Sequence, residues 1–162
     1  MTRRVVLIGA TGEFGSRLAK LLAGLDGISL FLTAREAFGA PGLAAALKPG
    51  ARCASITGMA FERRDAEAAF AALRPWLVVD ASGPFQGMDY ATARSAIDSG
   101  AHWIDLADAE DYLLGFAGAL DAPSRASRVS ATAGASSTPA LSFAVVDDLT
   151  RDWRRVDTVD LA

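Results

Sequence analysis

The sequence is poor in the residues on which several kinds of site depend. It contains one cysteine, Cys53, so an internal disulfide and a cysteine-rich metal centre are both excluded. No apolar run approaches the roughly 20 residues needed to span a bilayer. A net charge of −3 and a pI near 5.1 provide no general attraction to nucleic acid or to an anionic membrane. We therefore expect no metal site, no membrane span and no nucleic-acid partner.

The N-terminus also lacks the pattern of a targeting segment. Met1-Thr-Arg-Arg runs straight into a short apolar stretch, which leaves no room for the apolar region and cleavage site of a signal peptide. We expect a cytoplasmic protein. Hydrophobic residues make up 51% of the 162 residues and charged residues 22%. This composition is enough for the core of one domain, or of one domain and the beginning of another.

What the sequence does contain is a glycine loop, Gly9-Ala-Thr-Gly12-Glu-Phe-Gly15. Residues 5–8 before it predict a buried parallel strand, and a helix-forming stretch begins at Ser16. Glycines let the backbone approach a ligand closely, while a helix N-terminus offers free N–H groups and a positive dipole end to a phosphate. The loop therefore predicts a dinucleotide pyrophosphate site, with a ligand-free turn as the alternative. A P-loop is excluded because no Gly-Lys-Ser/Thr follows.

The residue after the second predicted strand, Ile28–Ala34, indicates which dinucleotide is bound. In a doubly wound fold this position faces the adenosine ribose, where an acidic residue selects NAD and an arginine accommodates the 2′-phosphate of NADP. The residue is Arg35, so NADP is favoured over NAD, unless Arg35 is simply a solvated surface residue. A third strand is predicted between Cys53 and Glu62, with a bend at Gly58. Glu62 could accept a hydrogen bond from the adenine amino group or be solvated.

A fourth buried strand is predicted over residues 76–81, and a Ser82-Gly83-Pro84 turn follows it. Ligands in open α/β sheets bind outside the carboxyl ends of strands. The backbone groups of Ala81, Ser82 and Gly83 are therefore candidate contacts near the pyrophosphate or the nicotinamide ribose. The alternative is a plain turn, since Gly-Pro is common turn chemistry.

A fifth strand is predicted over residues 102–106, and two carboxylates lie near its end. Asp105 and Asp108 are candidate site residues, although a solvated loop or a helix cap would explain them equally well. We expect a structural or surface role for His102, the only histidine, and nothing indicates that it binds a metal.

The rest of the chain alternates helix and strand patterns. Helices are predicted over residues 43–47, 66–73 with Asp65 as N-cap, 90–99, 116–128 with an interruption at Pro123, and 140–150, and a sixth strand over 129–132. The alternation predicts an α/β fold, a doubly wound (Rossmann) parallel sheet with helices on both faces. Residues 155–162 read as an unfinished strand. We therefore expect a nucleotide-binding domain over residues 1–150 and the start of a truncated second domain over residues 151–162.

With these segments placed, the chain resembles the NADP-binding domain of the saccharopine dehydrogenase-like family. The matching segments are the glycine loop, Arg35, Asp80-Ala-Ser-Gly-Pro-Phe85, Gly100-Ala-His-Trp-Ile-Asp-Leu106 and Gly134-Ala-Ser-Ser-Thr-Pro139. The resemblance implies a two-domain oxidoreductase in which a following domain binds most of the small-molecule substrate and makes most contacts of a homodimer. It implies the following NADP contacts: Gly9, Thr11, Gly12, Glu13, Phe14 and Gly15 at the pyrophosphate, Arg35 at the 2′-phosphate, and Ala81, Ser82, Gly83 and Pro84 toward the nicotinamide.

Three functions fit the glycine loop, and the sequence excludes one of them. A short-chain dehydrogenase needs a Tyr-x-x-x-Lys pair, and neither Tyr90 nor Tyr112 has a lysine four residues later. The leading hypothesis is the cofactor domain of an NADP-dependent oxidoreductase, inactive by itself, with no catalytic residue assigned. The alternative is a non-catalytic module that binds NADP and passes a signal to a partner.

Overall fold

The computed structural model describes residues 2–159, which form one parallel six-stranded sheet with helices between the strands. The strands are β1 Arg3–Ile8, β2 Ile28–Ala34, β3 Ser55–Ala60, β4 Leu77–Asp80, β5 His102–Asp105 and β6 Ala131–Thr132. The helices are α1 Glu13–Ala23, α2 Gly39–Leu47, α3 Ala66–Leu73, α4 Ala91–Asp98, α5 Glu110–Ser127 and α6 Ser142–Leu149. No helix in this part of the chain is long and apolar enough to cross a bilayer.

The strand order in the sheet is β3-β2-β1-β4-β5-β6, and every pair of neighbours is parallel. This is the doubly wound order, in which the chain direction across the sheet reverses between β1 and β4. The predicted α/β Rossmann fold is therefore confirmed. The crevice outside the carboxyl ends of β1 and β4 is where such folds bind their ligands.

The two faces of the sheet are covered by different helices, as the fold class requires. β1 alternates between them, since Val6 packs into one core with α3, α4 and α5, and Leu7 packs into the other with α1 and α2. Trp103 and Phe70 are the largest fully buried side chains of the first core. Burial of both faces fixes the register of the strands, and so fixes which residues emerge at the carboxyl edge.

Two helices differ from their predicted bounds. α2 begins at Gly39 rather than at residue 43, because Pro41 lies in its first turn, where a helix needs no backbone N–H. α5 runs from Glu110 to Ser127 and passes through Pro123, so the predicted interruption is wrong. Residues Tyr112, Phe116, Leu120 and Ser124 are buried along one face of α5. Their packing offsets the cost of the internal proline, about 3 kcal/mol.

One predicted cap position is confirmed, and one predicted strand is not found among the described residues. Asp65 is the N-cap of α3, as predicted, although its side chain makes no capping hydrogen bond because the 3₁₀ turn Arg63–Asp65 leads into the helix. Residues 155–159 form no strand, and residues 160–162 of the predicted last strand lie outside the described residues.

Gly58 is not a bend but a position inside β3 where helix α2 approaches the sheet. A Cβ at Gly58 would lie 2.2 Å from the carbonyl oxygen of Ala40, a distance that real Cβ atoms do not show. We expect Gly58→Ala to lower the free energy of unfolding by about 1–3 kcal/mol. Urea unfolding would measure this, with Gly50→Ala as control because a Cβ there meets open space. Equal midpoints for the two variants would contradict the close approach.

Candidate functional site

A cleft of about 780 Å³ opens at the carboxyl edge of the first four strands. Its lining includes every predicted cofactor contact except Gly15: Gly9, Thr11, Gly12, Glu13, Phe14, Arg35, Glu62, Ala81, Ser82, Gly83 and Pro84. The other lining residues are Ile8, Thr33, Ala34, Phe61, Arg63, Arg64 and Met88. Sequence segments that are up to 80 positions apart, from Ile8 to Met88, thus meet in one cleft at the switch point. We call it the main cleft.

The glycine loop is built by close contacts that only glycine permits. Gly9 has a φ of +74°, and a Cβ there would lie 2.6 Å from the Cβ of Ser82. Gly15 is buried under the loop, where a Cβ would lie 2.0 Å from the carbonyl oxygen of Gly9. The Gly12 N–H donates to the same Gly9 carbonyl over 3.0 Å. Gly9 and Gly15 therefore shape the loop, while Gly12 lines the main cleft.

The first turn of α1 supplies the donors of the main cleft. Gly12 is the N-cap, and no side chain caps the helix there. The first intrahelical bond runs from the Ser16 N–H to the Gly12 carbonyl over 2.9 Å. The N–H groups of the three residues between them therefore have no partner inside the helix, and they lie at its positive end. An anion in the main cleft would meet these donors directly.

Arg35 and Glu62 lie at the end of the main cleft formed by β2 and β3. Ala34 pairs with Ala60 in the register of the sheet, so the residues that follow these two strands emerge side by side. Both Arg35 and Glu62 are exposed and line the cleft. Within residues 2–159 the Arg35 side chain forms neither an ion pair nor a hydrogen bond. Its guanidinium is free to take a doubly charged phosphate.

A partly buried ion pair at the end of β4 was not predicted from the sequence. Asp80 is fully buried, and Arg63 donates to its Oδ2 over 2.6 Å. Ser82 donates to Asp80 Oδ1 from both its backbone N–H, over 2.9 Å, and its hydroxyl, over 2.6 Å. The Ser82 N–H is therefore committed to Asp80, and any ligand contact of this turn must come from its other groups. No local pattern separates Arg63 from the adjacent Arg64, because its partner lies 17 positions away.

The two carboxylates near the end of β5 have different surroundings. Asp105 is fully buried and lies outside the main cleft, so it is neither in a solvated loop nor at the candidate site. Asp108 is exposed and lines a separate cavity of about 470 Å³ between α1 and residues 135–141. His102 accepts a hydrogen bond from the Ser130 N–H over 3.0 Å and packs edge-on against Trp76, in keeping with the expected structural role.

Neither tyrosine is available as a general acid in the main cleft. The Tyr90 hydroxyl donates to the Tyr112 carbonyl over 2.8 Å, and the Tyr112 hydroxyl donates to Asp105 over 3.1 Å. Burial, reinforced by the nearby Asp105 charge, raises the pKa of Tyr112 far above its ordinary value. Among residues 2–159, no group of three His, Cys, Asp or Glu side chains is placed to hold a metal ion.

Comparison with known proteins rests on structure, since no family model matches the sequence and no curated protein does. Apo saccharopine dehydrogenase (L-Glu forming) from Saccharomyces cerevisiae superposes with a TM-score of 0.64 at 15% identity, covering 92% of this chain and 32% of that chain. This chain therefore spans about a third of the length of the yeast enzyme.

Two short-chain oxidoreductases are similar over most of their own length. A metagenomic short-chain oxidoreductase in complex with NADP gives a TM-score of 0.57 at 18% identity, over 81% of this chain and 80% of that chain. A short-chain dehydrogenase from Sphingobium yanoikuyae in complex with NADPH gives a TM-score of 0.57 at 13% identity, over 99% of both chains. The chain thus shares the Rossmann fold with these three oxidoreductases.

Proposed function

We propose that this chain is the NADP-binding domain of a saccharopine dehydrogenase-like oxidoreductase. One observation carries the proposal: a single cleft at the switch point joins the glycine loop, the uncapped N-terminus of α1 and the unpaired Arg35. The glycine loop allows the backbone to approach the pyrophosphate closely, and the N-terminus of α1 offers free N–H groups to it. Arg35 suits the 2′-phosphate. The structural neighbours that hold NADP or NADPH support the same conclusion.

The residues of the main cleft fit the cofactor in size and in charge. Its volume of about 780 Å³ is within the usual range for cofactor sites. Bound there, NADP would supply the hydride chemistry, moving hydride between its nicotinamide and a carbonyl, imine or activated double bond. The residues of the main cleft would hold and orient the cofactor. The N-terminus of α1 would bind the pyrophosphate, Arg35 the 2′-phosphate and Glu62 the adenine amino group. The turn from Ala81 to Pro84 would border the nicotinamide ribose.

We also propose that residues 151–162 begin a second domain that binds most of the substrate. Helix α6 buries none of its described side chains, and Phe143, Leu149 and Trp153 are all at least 65% exposed. An apolar surface of this kind is normally covered by further protein. In this proposal the full protein forms a homodimer in the cytoplasm.

The rival proposal is an NADP-sensing module that performs no chemistry. One observation favours it: among residues 2–159 the lining of the main cleft contains no tyrosine, histidine, lysine or cysteine that could transfer a proton. Of its two carboxylates, Glu13 is paired with Arg17 and Glu62 lies at the proposed adenine end. A short-chain dehydrogenase is excluded as a third option, because its Tyr-x-x-x-Lys pair is missing and both tyrosines are engaged elsewhere. Hydride transfer by a longer form of the protein would decide between enzyme and sensor.

The binding test of the proposal uses Arg35. A charge-assisted hydrogen bond contributes about 1.5–3 kcal/mol, so we expect NADPH to bind roughly ten- to hundredfold more tightly than NADH. Arg35→Ala should erase the difference by weakening NADPH alone. Isothermal titration calorimetry would measure both dissociation constants. Arg94→Ala serves as control, because Arg94 pairs with Asp98 on α4 outside the main cleft. Equal affinities in the unmutated protein would exclude the assignment.

A further inference from the structure

Arg63 bridges two strands that are not neighbours in the sheet. It follows β3, whereas its partner Asp80 ends β4, and β2 and β1 lie between these two strands. Arg63 Nη2 donates to Asp80 Oδ2 over 2.6 Å and to the Ser82 hydroxyl over 2.8 Å. The side chain therefore crosses the carboxyl edge of the sheet at the switch point, along the path that a bound dinucleotide must follow.

This anchoring uses only part of the guanidinium. An arginine has five N–H donors, and both anchoring bonds leave from Nη2. Within residues 2–159 no hydrogen bond leaves from Nε or Nη1. The Arg63 side chain is 33% exposed and lines the main cleft, whereas that of Asp80 is 0% exposed. Asp80 and Ser82 therefore fix the position of the Arg63 side chain, and the three N–H hydrogens on Nε and Nη1 are left for a ligand.

We infer that Arg63 is a second arginine contact for the dinucleotide, at the phosphate–ribose portion that NADP and NAD share. The inference rests on the proposed function, and it assigns Arg63 a role different from that of Arg35. Arg35 is unpaired and would distinguish the two dinucleotides through the 2′-phosphate. Because Asp80 neutralises its charge, Arg63 contributes oriented N–H donors rather than net charge. It would therefore strengthen the binding of NADP and NAD equally.

The test compares Arg63→Met/Asp80→Asn with the unmutated protein and with Asp80→Asn alone. The double variant keeps the net charge and avoids leaving a buried carboxylate without its cation, which would destabilise the fold. The single variant keeps the guanidinium but removes the carboxylate that anchors and neutralises it, so it measures how much the Asp80 anchor contributes to binding. We expect the double variant to bind both NADPH and NADH about ten- to hundredfold more weakly than the unmutated protein. The ratio of the two affinities should be unchanged.

A matched control is the pair Arg52→Met/Asp26→Asn, an exposed ion pair outside the main cleft, which should bind both dinucleotides normally. Circular dichroism would verify that each variant is folded. Affinities in the double variant equal to those of the unmutated protein would overturn the inference while leaving the proposed function intact. A loss confined to NADPH would overturn it too, since Arg63 would then read the 2′-phosphate. Failure of the unmutated protein to bind either dinucleotide would overturn both.

Discussion

Gly12→Val is expected to raise the dissociation constant for NADPH by at least about a hundredfold while the domain stays folded. Gly12 has an ordinary φ of −73°, and a Cβ there would lie 3.3 Å from the Gly9 carbonyl oxygen, so a shift of a few tenths of an ångström accommodates it. The loss comes from the cleft, which Gly12 lines at the N-terminus of α1. Valine methyl groups there would displace the pyrophosphate from at least two charge-assisted hydrogen bonds, each contributing about 1.5–3 kcal/mol.

Gly42→Val is the matched control for this experiment. Gly42 lies in α2 outside the main cleft, and a Cβ there meets nothing within 4 Å. Calorimetric titration with NADPH would give the affinities, and thermal unfolding would show whether both valine variants fold. If Gly12→Val kept its NADPH affinity, the glycine loop would not be the pyrophosphate site.

The fold could be predicted where local sequence and burial agree. β2 was predicted with its observed bounds, Ile28–Ala34, because a run of β-favouring residues there is buried in the sheet. α5 was predicted with an interruption at Pro123, whereas the packing of Phe116 and Leu120 in the core keeps the helix continuous through it. Propensity is a local property, and tertiary packing overrides it.

The candidate site divides in the same way. The positions of the glycine loop and of Arg35 in the main cleft could be predicted from the sequence, because each depends only on the end of one strand. Arg63 could not be found, since its position depends on a partner across the sheet and not on its neighbours in sequence. Asp105 was predicted as a candidate site residue, but its side chain is buried in the interior of the domain and does not line the main cleft.

That interior position gives Asp105 the largest expected effect on folding. Its carboxylate accepts four hydrogen bonds of 2.9–3.1 Å in a site with no exposure, from Trp103 Nε1, the Tyr112 hydroxyl and the backbone N–H groups of Ala107 and Gly134. These donors tie β5, α5 and the segment after β6 together. The raised pKa of Tyr112 keeps its hydroxyl protonated and able to donate.

Asp105→Ala is therefore expected to lower the free energy of unfolding by about 4 kcal/mol or more, since each buried donor left without a partner costs about 1–3 kcal/mol. A loss of that size is a large part of the roughly 5–15 kcal/mol that stabilises a typical domain. Asp105→Asn should have a free energy of unfolding between those of Asp105→Ala and the unmutated protein. Its side-chain carbonyl can still accept hydrogen bonds, while its NH₂ group faces donors that it cannot satisfy. Asp108→Ala is the control, an exposed carboxylate whose removal should change stability by less than about 0.5 kcal/mol. Urea unfolding of the three variants measures the series, and similar midpoints for Asp105→Ala and Asp108→Ala would show that the buried network does not hold these elements together.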